Sequence, residues 1–363
     1  MKFGFYKYNK KIKKKYLVSG IGPGPTGVGR LMTSLINRLD DDYTYVYRRN
    51  AISIRELKIK KKYFNFLLEI LKRKLDNLIF FIKVLSIKDS RILLLHPQTI
   101  GFKLFFKINQ RNKIYYYVMD NSFFCVRSYN VHPVLDSECL QCLDVLKPHS
   151  KCEPSPVPMT QLENVEFLRN LKNNFNDIIF LSQNNNQSKL IKLHFGASVR
   201  VRVIGMNTNE IPKRRSTPVG NSAKYDIVFH GKSVIAKGVV YFINLASLLP
   251  NHTFFIPDSV ENLNKIISSD LPHNIICENI TWESGLLEIV KNAKLVINPS
   301  LWSAPIEGAL VKSAYFNNNV ATVKTRFGYE NEVSFVRNHL RLSPDFKVAS
   351  VQIIDFFESK TSN

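Results

Sequence analysis

The stretch YLVSGIGPGPTGVGRLMTSLINRL, residues 16–39, decides the fold. Residues 16–19 form a short apolar run typical of a buried strand, and residues 20–29 form a loop rich in glycine and proline. Residues 30–39 then repeat apolar side chains at helical spacing. A strand, a glycine loop and a helix in this order open a parallel sheet, so we predict an α/β fold.

The rest of the chain repeats this alternation in two blocks separated by a polar stretch with no hydrophobic period, residues 206–224. We predict further strands at residues 91–95, 114–119, 177–181 and 199–204 in the first block, and at 226–230, 252–256, 274–277, 295–298 and 320–323 in the second. The segments between them are long enough for crossover helices. The chain is therefore expected to form two Rossmann-like, doubly wound parallel-sheet domains.

We predict an N-terminal domain at residues 1–207, a linker at 208–224, and a C-terminal domain at 225–345. The apolar stretch near the end predicts a C-terminal helix within residues 346–363, which could cross back to the N-terminal domain. A chain of 363 residues is longer than one hydrophobic core usually organises, which agrees with two domains.

The chain is strongly basic. It has 51 Lys and Arg against 29 Asp and Glu, a formal charge of +22, and residues 1–83 contain 20 of the basic residues against 6 acidic ones. This charge favours anionic partners such as phosphates, nucleic acid or acidic lipid. Hydrophobic residues make up 45% of the chain, which excludes a disordered protein.

No uninterrupted apolar run approaches the roughly 18 residues needed to cross a bilayer, and no secretory signal precedes the first glycines. We therefore expect a cytoplasmic protein. Residues 52–87 mix lysines and arginines with aliphatic and aromatic residues, a pattern that can lie on an anionic leaflet. A peripheral position on the inner face of the plasma membrane is one interpretation, and an ordinary solvated helix face is the other.

The glycine loop can bring backbone amides close to an anion or a sugar. Its glycines are Gly22, Gly24, Gly27 and Gly29. The spacing matches no nucleotide-binding fingerprint, because Pro23 and Pro25 remove two of the amides that such a cradle would use. The alternative is a tight turn between a strand and a helix.

Two lysines follow the first strand of the second block. Gly231 and Lys232 come directly after that strand, and Lys237 comes before the next helix. Because ligands of doubly wound sheets bind at the carboxyl edge of the strands, two ammonium groups could converge there. Alternatively, both are solvated surface lysines.

A second polar loop follows the strand at residues 295–298. It contains Pro299-Ser300 and then Pro305-Ile306-Glu307-Gly308, which predicts a helix beginning near Pro305 with Glu307 in its first turn. A helix N-terminus favours both a carboxylate and a bound phosphate. Glu307 could equally be a helix-start residue with no ligand.

These three segments, in this order, resemble the retaining glycosyltransferases of family 4, which have the GT-B fold. The resemblance implies two domains facing a cleft, the first binding an acceptor and the second a nucleotide-sugar. It implies that Lys232 and Lys237 neutralise the donor diphosphate, that Glu307 holds the ribose hydroxyls, and that the glycine loop approaches donor and acceptor. The implied donor site comprises Gly231, Lys232, Lys237, Ser303, Ala304, Pro305, Ile306, Glu307 and Gly308.

The chain departs from that family at one position. The family usually has two glutamates separated by seven residues, and here Trp302 and Ser303 occupy the neighbourhood of the first. Backbone amides between Ser303 and Ile306 could still bind phosphate. The missing glutamate implies an altered choice of donor or a catalytically silent scaffold.

Sugar transfer develops negative charge on the departing diphosphate, which fixed cations and a helix N-terminus can stabilise without a divalent ion. The acceptor hydroxyl needs a group that orients or deprotonates it. Our candidates are His96 and Asp120, each at the end of a predicted strand in the first domain. A structural histidine and a turn cap are the respective alternatives.

Four cysteines fall within 28 residues, and two of them have the C-x2-C spacing of a metal knuckle. They are Cys125, Cys139, Cys142 and Cys152. A structural zinc ion would order the proline-rich loop at residues 121–158, which we place in the first domain. His132 and His149 are substitute ligands, and free or redox-paired thiols are the alternative.

The sequence thus predicts a nucleotide-sugar-dependent glycosyltransferase that acts on a lipid-linked or oligosaccharide acceptor in surface polysaccharide synthesis, such as O-antigen or capsule. Two other classes stay open. One is a catalytically silent GT-B scaffold, and the other is a zinc-dependent nucleic-acid-binding protein, which the charge and the cysteines permit although no nucleic-acid module is present.

Overall fold

A computed structural model of the chain describes residues 14–24, 27–39, 42–48, 63–154, 159–205, 224–267, 269–332 and 337–361. The chain divides into two compact units. The first comprises Met1–Met119 and Pro154–Thr208, and the second comprises Asp120–Glu153 and Asn209–Asn363. The predicted linker lies outside the described residues except for Lys224.

The described part of the first unit contains six parallel strands and the helices between them. Its elements are β1 (Lys15–Ser19), α1 (Gly27–Ile36), β2 (Tyr43–Tyr47), α2 (Tyr63–Ser86), β3 (Arg91–Leu95), α3 (Pro97–Ile100), α4 (Phe102–Asn109), β4 (Lys113–Tyr117), α5 (Gln161–Asn173), β5 (Ile178–Ser182), α6 (Asn185–Phe195) and β6 (Arg200–Val203). The strand order is β2-β1-β3-β4-β5-β6, and every pairing is parallel. In the register, Leu17 lies opposite Leu93.

The second unit repeats this plan. Its elements are β7 (Ile227–Phe229), a 3-10 turn (Ile235–Lys237), α7 (Val239–Leu248), β8 (Phe254–Ile256), α8 (Val260–Leu263), β9 (Ile275–Cys277), a π turn (Trp282–Leu286) leading into α9 (Leu287–Asn292), β10 (Leu295–Asn298), α10 (Gly308–Phe316), β11 (Asn319–Val323), a 3-10 turn (Tyr329–Asn331), β12 (Asn338–Leu342) and α11 (Phe346–Thr361). The strand order is β12-β11-β10-β7-β8-β9, again all parallel.

The central strands of both sheets are apolar along their whole length. All residues of β5, β7, β8 and β10 are buried. A parallel sheet covered by helices on both faces needs such continuous runs, since both faces of each strand lie in a core. The predicted α/β fold with two parallel sheets is confirmed.

The C-terminal helix packs in the second unit. Ala349 and Ile353 of α11 are fully buried in the same core as Phe242 of α7, and the Tyr241 hydroxyl donates to the Ser343 carbonyl at 2.6 Å. The described part of α11 therefore belongs to the second unit, whereas the sequence left open a return to the first.

Residues 120–153, which we call the cysteine-rich segment, also belong to the second unit. The sequence analysis predicts this loop, residues 121–158, in the first domain. The physical reason for the difference is a set of polar contacts that sequence reasoning does not reveal: Asn121 and Asn130 both hydrogen-bond to Ser303, although they precede it by more than 170 residues. In the part of the chain that is described, no helix is both long and apolar enough to cross a bilayer.

We predict that Gly238→Ala destabilises the second unit strongly. Gly238 has a φ of +76°, and a Cβ built there would lie 1.9 Å from the carbonyl oxygen of Pro299, which is backbone and cannot rotate away. Gly285→Ala is the matched control, because Gly285 also has a positive φ but a Cβ there meets nothing within 4 Å. The free energy of unfolding of each variant should fall by roughly 1–3 kcal/mol from backbone strain alone. Denaturant unfolding should show a clearly larger fall for Gly238→Ala. Equal losses would contradict the close approach.

Candidate functional site

The second sheet has a topological switch point between β7 and β10. From β7 the chain adds β8 and β9 on one side, and β10 then returns to the other side of β7. The loops at residues 230–238 and 299–307 leave the carboxyl ends of these two neighbouring strands. Ligands of open α/β sheets bind in the crevice at such a point. The two loops that the sequence singled out therefore meet where a ligand site is expected.

Backbone contacts hold the two loops against each other. The Leu301 amide donates to the Ala236 carbonyl at 3.0 Å, and the His230 amide donates to the Ile297 carbonyl at 3.1 Å. The Asn298 side chain, at the end of β10, donates to the His230 carbonyl at 2.5 Å. The loops thus form one rigid edge above the switch point.

An ion pair joins the two loops at the first turn of α10. Lys237 Nζ lies 2.5 Å from Glu307 Oε1, and the same oxygen accepts a hydrogen bond from the Ser300 hydroxyl. The Glu307 side chain is only 7% exposed and that of Lys237 is 21% exposed. Lys237 and Glu307, which the sequence selected separately, are therefore in direct contact.

Glu307 occupies the N-cap position of α10, which begins three residues later than predicted, at Gly308. Its side chain makes no capping hydrogen bond to that helix. Pro305 and Ile306 lie in the loop just before it. The carboxylate is turned toward Lys237, so the helix N-terminus is not neutralised by its own cap residue.

Two aromatic rings border the Lys237 ammonium group. Its Nζ lies 5.0 Å from the ring centroid of Trp302 and 5.9 Å from that of Tyr129, and the two rings are 4.4 Å apart. Burial raises the pKa of the Tyr129 hydroxyl, and the Asp120 and Glu307 carboxylates raise it further. Tyr129 therefore lies close to both carboxylates and stays a neutral hydroxyl. Sequence reasoning missed it, because no motif marks an aromatic residue so distant in the chain.

Lys232 does not lie beside Glu307 as Lys237 does. Its side chain is exposed and makes no hydrogen bond or ion pair with the described residues. A Cβ on the neighbouring Gly231 would lie 3.3 Å from the Phe229 ring and 4.0 Å from Lys237 Cβ, so the loop turns tightly here. The structure brings Lys237 to Glu307 and leaves the Lys232 ammonium in solvent.

The backbone amides of Ser303 and Ala304, which were expected to be able to bind phosphate, are both hydrogen-bonded within the protein. The Ser303 amide donates to Asn130 Oδ1 at 3.1 Å, and the Ala304 amide donates to the Trp302 carbonyl at 2.6 Å. Both amides are already engaged, so neither can bind a phosphate without breaking a bond. The Ser303 amide instead holds the cysteine-rich segment in place through Asn130.

Glu138 joins the cysteine-rich segment to two loops of the second sheet. Its Oε1 accepts from the Ser303 hydroxyl and from the Phe327 amide, the latter at 3.2 Å, and its Oε2 accepts from the Arg326 amide at 2.6 Å. A carboxylate thus lies beside Ser303, in the neighbourhood where this chain lacks the first glutamate of the family that it resembles. The sequence could not reveal this, since Glu138 precedes Ser303 by 165 residues.

His230 is neutral at physiological pH. Burial, with a smaller contribution from Lys312, lowers its pKa to about 3. Its Nδ1 lies 2.7 Å from the Ser313 hydroxyl, and its ring stacks on Trp282 at 5.1 Å. These contacts give His230 a structural role under the loop rather than an acid-base role.

The first sheet has its own switch point, between β1 and β3. The glycine loop leaves β1 there, and a Cβ on Gly20 would lie 2.2 Å from the Thr99 carbonyl oxygen, so the loop presses against α3. His96 precedes α3 with a φ of +55°, which is rare for a residue other than glycine, and is buried. Strained residues of this kind cluster at functional sites.

The glycine loop folds back on the start of α1. The Gly24 amide donates to the Gly29 carbonyl at 3.0 Å, and a Cβ on Gly29 would lie 2.9 Å from Gly24 N. Gly22 is buried and Gly27, with a φ of +51°, is the first residue of the helix. Because the Gly24 amide already donates to a carbonyl within the loop, a tight turn between strand and helix is enough to explain the presence of Gly24 and Gly29. Pro25 lies outside the described residues.

The two catalytic candidates lie in different units. His96 is in the first, and Asp120 is the first residue of the cysteine-rich segment in the second, whereas we expected both in the first domain. Asp120 Oδ1 accepts from the Ser122 amide at 3.0 Å, the turn-capping contact that was the alternative. Asp120 is buried and lies near Tyr129, so it belongs with the Lys237 and Glu307 cluster.

None of the four clustered cysteines forms a disulfide, and neither does Cys277, which is half-buried in β9. Among the described residues, no group of three or more His, Cys, Asp or Glu side chains has metal-binding geometry. His132 Nδ1 accepts from the Val134 and Leu135 amides, and His149 Nδ1 accepts from the Lys151 amide, so these nitrogens already serve the turns.

No family model and no curated protein matches the chain. Solved structures do, over nearly its whole length. HepE from Anabaena, in complex with UDP, is 13% identical, with 96% of this chain and 90% of that chain covered and a TM-score of 0.59. Sucrose-phosphate synthase from Thermosynechococcus elongatus is 11% identical, with 95% and 90% covered and a TM-score of 0.57.

OtsA in its apo form is 12% identical, with 94% of this chain and 90% of that chain covered and a TM-score of 0.51. These structural neighbours are GT-B glycosyltransferases. At such low identity the likeness establishes the fold alone. The predicted GT-B fold class is confirmed.

One further carboxyl group at this edge is unusual. Glu330 follows β11 and is buried, and burial raises its pKa to about 7, with a smaller contribution from the Glu138 carboxylate. Hydrogen bonds from the Thr325 amide and hydroxyl, at 2.9 and 2.6 Å, oppose the rise. Glu330 therefore changes charge near neutral pH in the folded protein.

We predict that the second unit loses stability as pH rises from about 4.5, the ordinary pKa of glutamate, to about 7. Within that window the folded state keeps a proton that the unfolded state has released, so folding becomes less favourable by up to about 3 kcal/mol. Glu330→Gln should flatten the dependence in urea unfolding between pH 4.5 and 8. Glu261→Gln, at an exposed position of α8, should leave it unchanged. An unaltered slope in Glu330→Gln would refute this assignment.

Proposed function

We propose that the chain is a glycosyltransferase that moves a sugar from a nucleotide-sugar donor to a glycan acceptor, with a retaining mechanism like that of family 4. The observation that carries this proposal is the contact between Lys237 and Glu307 at the N-terminus of α10. It unites a cation, a carboxylate and a helix N-terminus at the switch point of a GT-B sheet.

The donor diphosphate would bind at this helix N-terminus. The first amides of α10 and the Lys237 ammonium both favour an anion there, and the Glu307 side chain leaves the helix uncapped. As the bond between the sugar and the diphosphate breaks, negative charge grows on the leaving group. Fixed donors and a cation stabilise that charge with no metal ion required. The exposed Lys232 can fold onto an outer phosphate oxygen.

Two groups would recognise the rest of the nucleotide. The Glu307 carboxylate, only partly occupied by Lys237 and Ser300, can accept from ribose hydroxyls. The Trp302 ring is buried, and its Nε1–H has no acceptor among the described residues. A buried donor without a partner is costly, and an oxygen of the bound donor would satisfy it. HepE, which shares the fold, was solved with UDP and with UDP-glucose.

The acceptor hydroxyl forms the new bond to the sugar and loses its proton. Asp120 and His96 are alternative candidates for the group that orients the hydroxyl or receives that proton. Asp120 is supported by its place near Tyr129 and Glu307, and His96 by its strained backbone at the switch point of the first sheet. The glycine loop beside His96 would contact the acceptor.

Glu138 favours an active enzyme over a silent scaffold. The family's first glutamate is absent from the chain, but the Glu138 carboxylate is hydrogen-bonded to Ser303, in the neighbourhood where that glutamate is expected. A carboxylate supplied by the cysteine-rich segment could serve the donor sugar. We propose that it compensates for the missing residue and alters donor choice.

An anionic membrane surface and a lipid-linked acceptor are supported by α2. One face of this helix exposes a continuous apolar stripe at intervals of three and four residues, namely Phe64, Leu67, Leu71, Leu75, Leu78 and Ile82. Lys72, Lys74 and Lys83 are exposed on the same helix. A long exposed apolar stripe with lysines on its flanks fits an interfacial helix. Residues 52–62 of the predicted basic stretch lie outside the described residues.

A groove beside α2 suits the lipid itself. A cavity of about 530 Å³ in the first unit is lined mainly by apolar side chains, among them Phe81, Ile100, Phe102, Met159 and Phe167. Phe81 belongs to α2, and Ile100 belongs to α3, which begins next to His96. The groove thus joins the apolar helix to the proposed acceptor end of the first sheet, as an isoprenoid-linked intermediate of O-antigen or capsule synthesis would require.

A zinc-dependent nucleic-acid-binding role is less well supported. The exposed aromatic and aliphatic residues of α2 form one stripe, whereas single-strand binding needs aromatics spaced within a basic groove. The vesicle and nucleotide experiments below distinguish the two classes.

We predict that UDP raises the melting temperature of the wild-type chain and that Lys237→Ala removes most of this rise. A charge-assisted contact to phosphate contributes about 1.5–3 kcal/mol, so UDP should bind roughly 10- to 100-fold more weakly. Glu307→Gln should also weaken binding, most clearly for UDP relative to inorganic pyrophosphate, because the carboxylate serves the ribose. The measurement is a thermal-shift titration.

Lys265→Ala is the matched control for charge, since Lys265 is an exposed lysine of the second unit. Its UDP response should equal that of the wild type. A wild-type response in Lys237→Ala would reject the donor site, and release of UDP with sugar transfer to a glycan acceptor would be the direct assay of activity. A donor response without any transfer would favour the silent scaffold.

We predict that the chain co-sediments with vesicles containing anionic phospholipid. The double variant Leu71→Glu with Leu78→Glu should reduce the bound fraction severalfold, because burying each introduced carboxylate in the apolar part of the bilayer is costly. Leu162→Glu is the control, as Leu162 is 73% exposed on α5 and lies outside the stripe. Binding should also fall with salt, since part of the attraction is electrostatic. Equal binding of all variants would reject α2 as the membrane surface.

A further inference from the structure

One arginine lies at the carboxyl edge of the first sheet, beside the proposed acceptor groups. Arg48 directly follows β2, just as Gly20 follows β1 and His96 follows β3. The register aligns the last residues of these three neighbouring strands in one row. Arg48 and His96 are therefore two strands apart, roughly 10 Å from Cα to Cα. Arg48 belongs to the same ligand-binding edge as the acceptor candidate His96.

The Arg48 guanidinium is a partly buried cation without a counter-ion. Its Nε–H is covered and has no hydrogen-bond partner among the described residues. Its one hydrogen bond to those residues runs from Nη2 to the Ile100 carbonyl at 3.4 Å, which is long for such a bond. In the described part of the chain, no carboxylate oxygen lies within 4 Å of its nitrogens. Most of the five N–H donors are thus uncommitted.

Keeping this charge out of water is costly for the fold. Burial lowers the pKa of the Arg48 guanidinium, as expected for a cation that leaves water without an opposite charge. The guanidinium carbon lies 4.9 Å from the centroid of the Phe80 ring, and this contact offsets only part of the cost. Proteins accept such a local cost mainly at functional sites. We therefore expect an anionic ligand to complete the site.

A cavity of about 330 Å³ adjoins Arg48. It is lined by Tyr47, which precedes Arg48, by Phe80, and by Lys83. Lys83 follows Phe80 by three residues, so both lie on one face of α2, and the exposed Lys83 ammonium adds a second cation. Asp76 lines the same cavity, but it lies seven residues, or roughly 10 Å along the helix, from Lys83. One end of the cavity is therefore cationic.

The apolar groove proposed for the lipid reaches the same place. Ile100, whose carbonyl accepts from Arg48, lines this groove, and so does Phe81, the neighbour of Phe80. The charged residues that line it are Lys103, Glu163 and Glu166. An unpaired guanidinium thus lies where an apolar groove meets the ligand edge of the sheet. This arrangement suits a ligand with an apolar tail and an anionic group next to it.

We propose that Arg48 binds the phosphate or diphosphate group that links the acceptor glycan to its lipid. This inference rests on the proposed function, since it names the acceptor of that reaction as a phosphate-linked lipid. The planar guanidinium can donate to two phosphate oxygens at once. The lipid would lie in the groove at Ile100, the phosphate at Arg48 with Lys83 nearby, and the glycan toward His96 on the neighbouring strands.

The test is the binding of farnesyl diphosphate, a soluble isoprenoid diphosphate, measured by isothermal titration calorimetry. All proteins carry Lys237→Ala, which removes the proposed diphosphate contact of the second unit. In this background Arg48→Met should weaken binding roughly tenfold to a hundredfold. Arg48→Lys should restore part of the affinity, because it keeps the charge but loses the planar fork. Farnesol, which has no phosphate, should bind all variants alike.

Arg169→Met is the matched control, because Arg169 is an exposed arginine of the same unit, on α5. It should bind farnesyl diphosphate as tightly as the background does. Equal affinity in Arg48→Met and the background would overturn the proposal.

The melting temperature separates a ligand contact from a structural role. Because the Arg48 charge is desolvated without a counter-ion, Arg48→Met should leave the melting temperature of the ligand-free protein unchanged or raise it. A marked fall would show that Arg48 serves the fold, and it would count against the proposal. Arg48→Lys keeps the charge and the aliphatic stem, so its weaker binding remains measurable in that case.

Two further outcomes would assign Arg48 to another source of phosphate. If inorganic pyrophosphate binds through Arg48 as tightly as farnesyl diphosphate, the lipid part of the proposal is wrong. If Arg48→Met weakens co-sedimentation with anionic vesicles but not the binding of farnesyl diphosphate, the residue serves membrane headgroups instead. Arg48→Met in the otherwise wild-type chain should keep the UDP response. A failed donor site would therefore leave the Arg48 result intact, and the reverse also holds.

Discussion

The site of the second unit depends on the ion pair between Lys237 and Glu307. Taking two charges out of water is costly, and their attraction repays that cost only when the geometry is good and the remaining bonds are satisfied. Here Ser300 supplies an added hydrogen bond, and the Trp302 and Tyr129 rings flank the ammonium group. The pair can form only because Gly238 lets the two loops approach, since any side chain there would strike Pro299.

Most of the fold could be predicted from the sequence because buried parallel strands are continuous apolar runs. Residues 91–95 and 295–298 were predicted with the bounds that the structure has. The strands β2 and β12 were missed. Both are edge strands, open on one side, and both carry exposed or polar residues, as in NHLRL at Asn338–Leu342. Nothing in the pattern of β12 distinguishes it from a loop. The sequence YTYVY of β2, by contrast, consists of residues that favour strands, so this strand could have been predicted.

The candidate site was only partly predictable. Lys237 and Glu307 follow strands that are adjacent in the sheet, so topology alone brings them together, and the motif order indicated both. The partners of Ser303 could not be found in this way. Asn130 and Glu138 reach it through side-chain hydrogen bonds from an irregular segment, and neither hydrophobic period nor local spacing encodes such contacts. Lys232 is a related case, because a motif fixes the position of a residue but not the direction of a flexible, exposed side chain.

The assignment of residues 120–153 to the second unit has a consequence for biosynthesis. Neither unit is continuous in the chain, which passes between them three times, near residues 119, 153 and 208. On the ribosome, Asn130 and Glu138 emerge long before Ser303, Arg326 and Phe327 are made, so their polar groups must remain hydrated until translation is nearly complete. The first unit can close its sheet at β6 with this long excursion still unfolded, and the second can finish only when the last strands arrive.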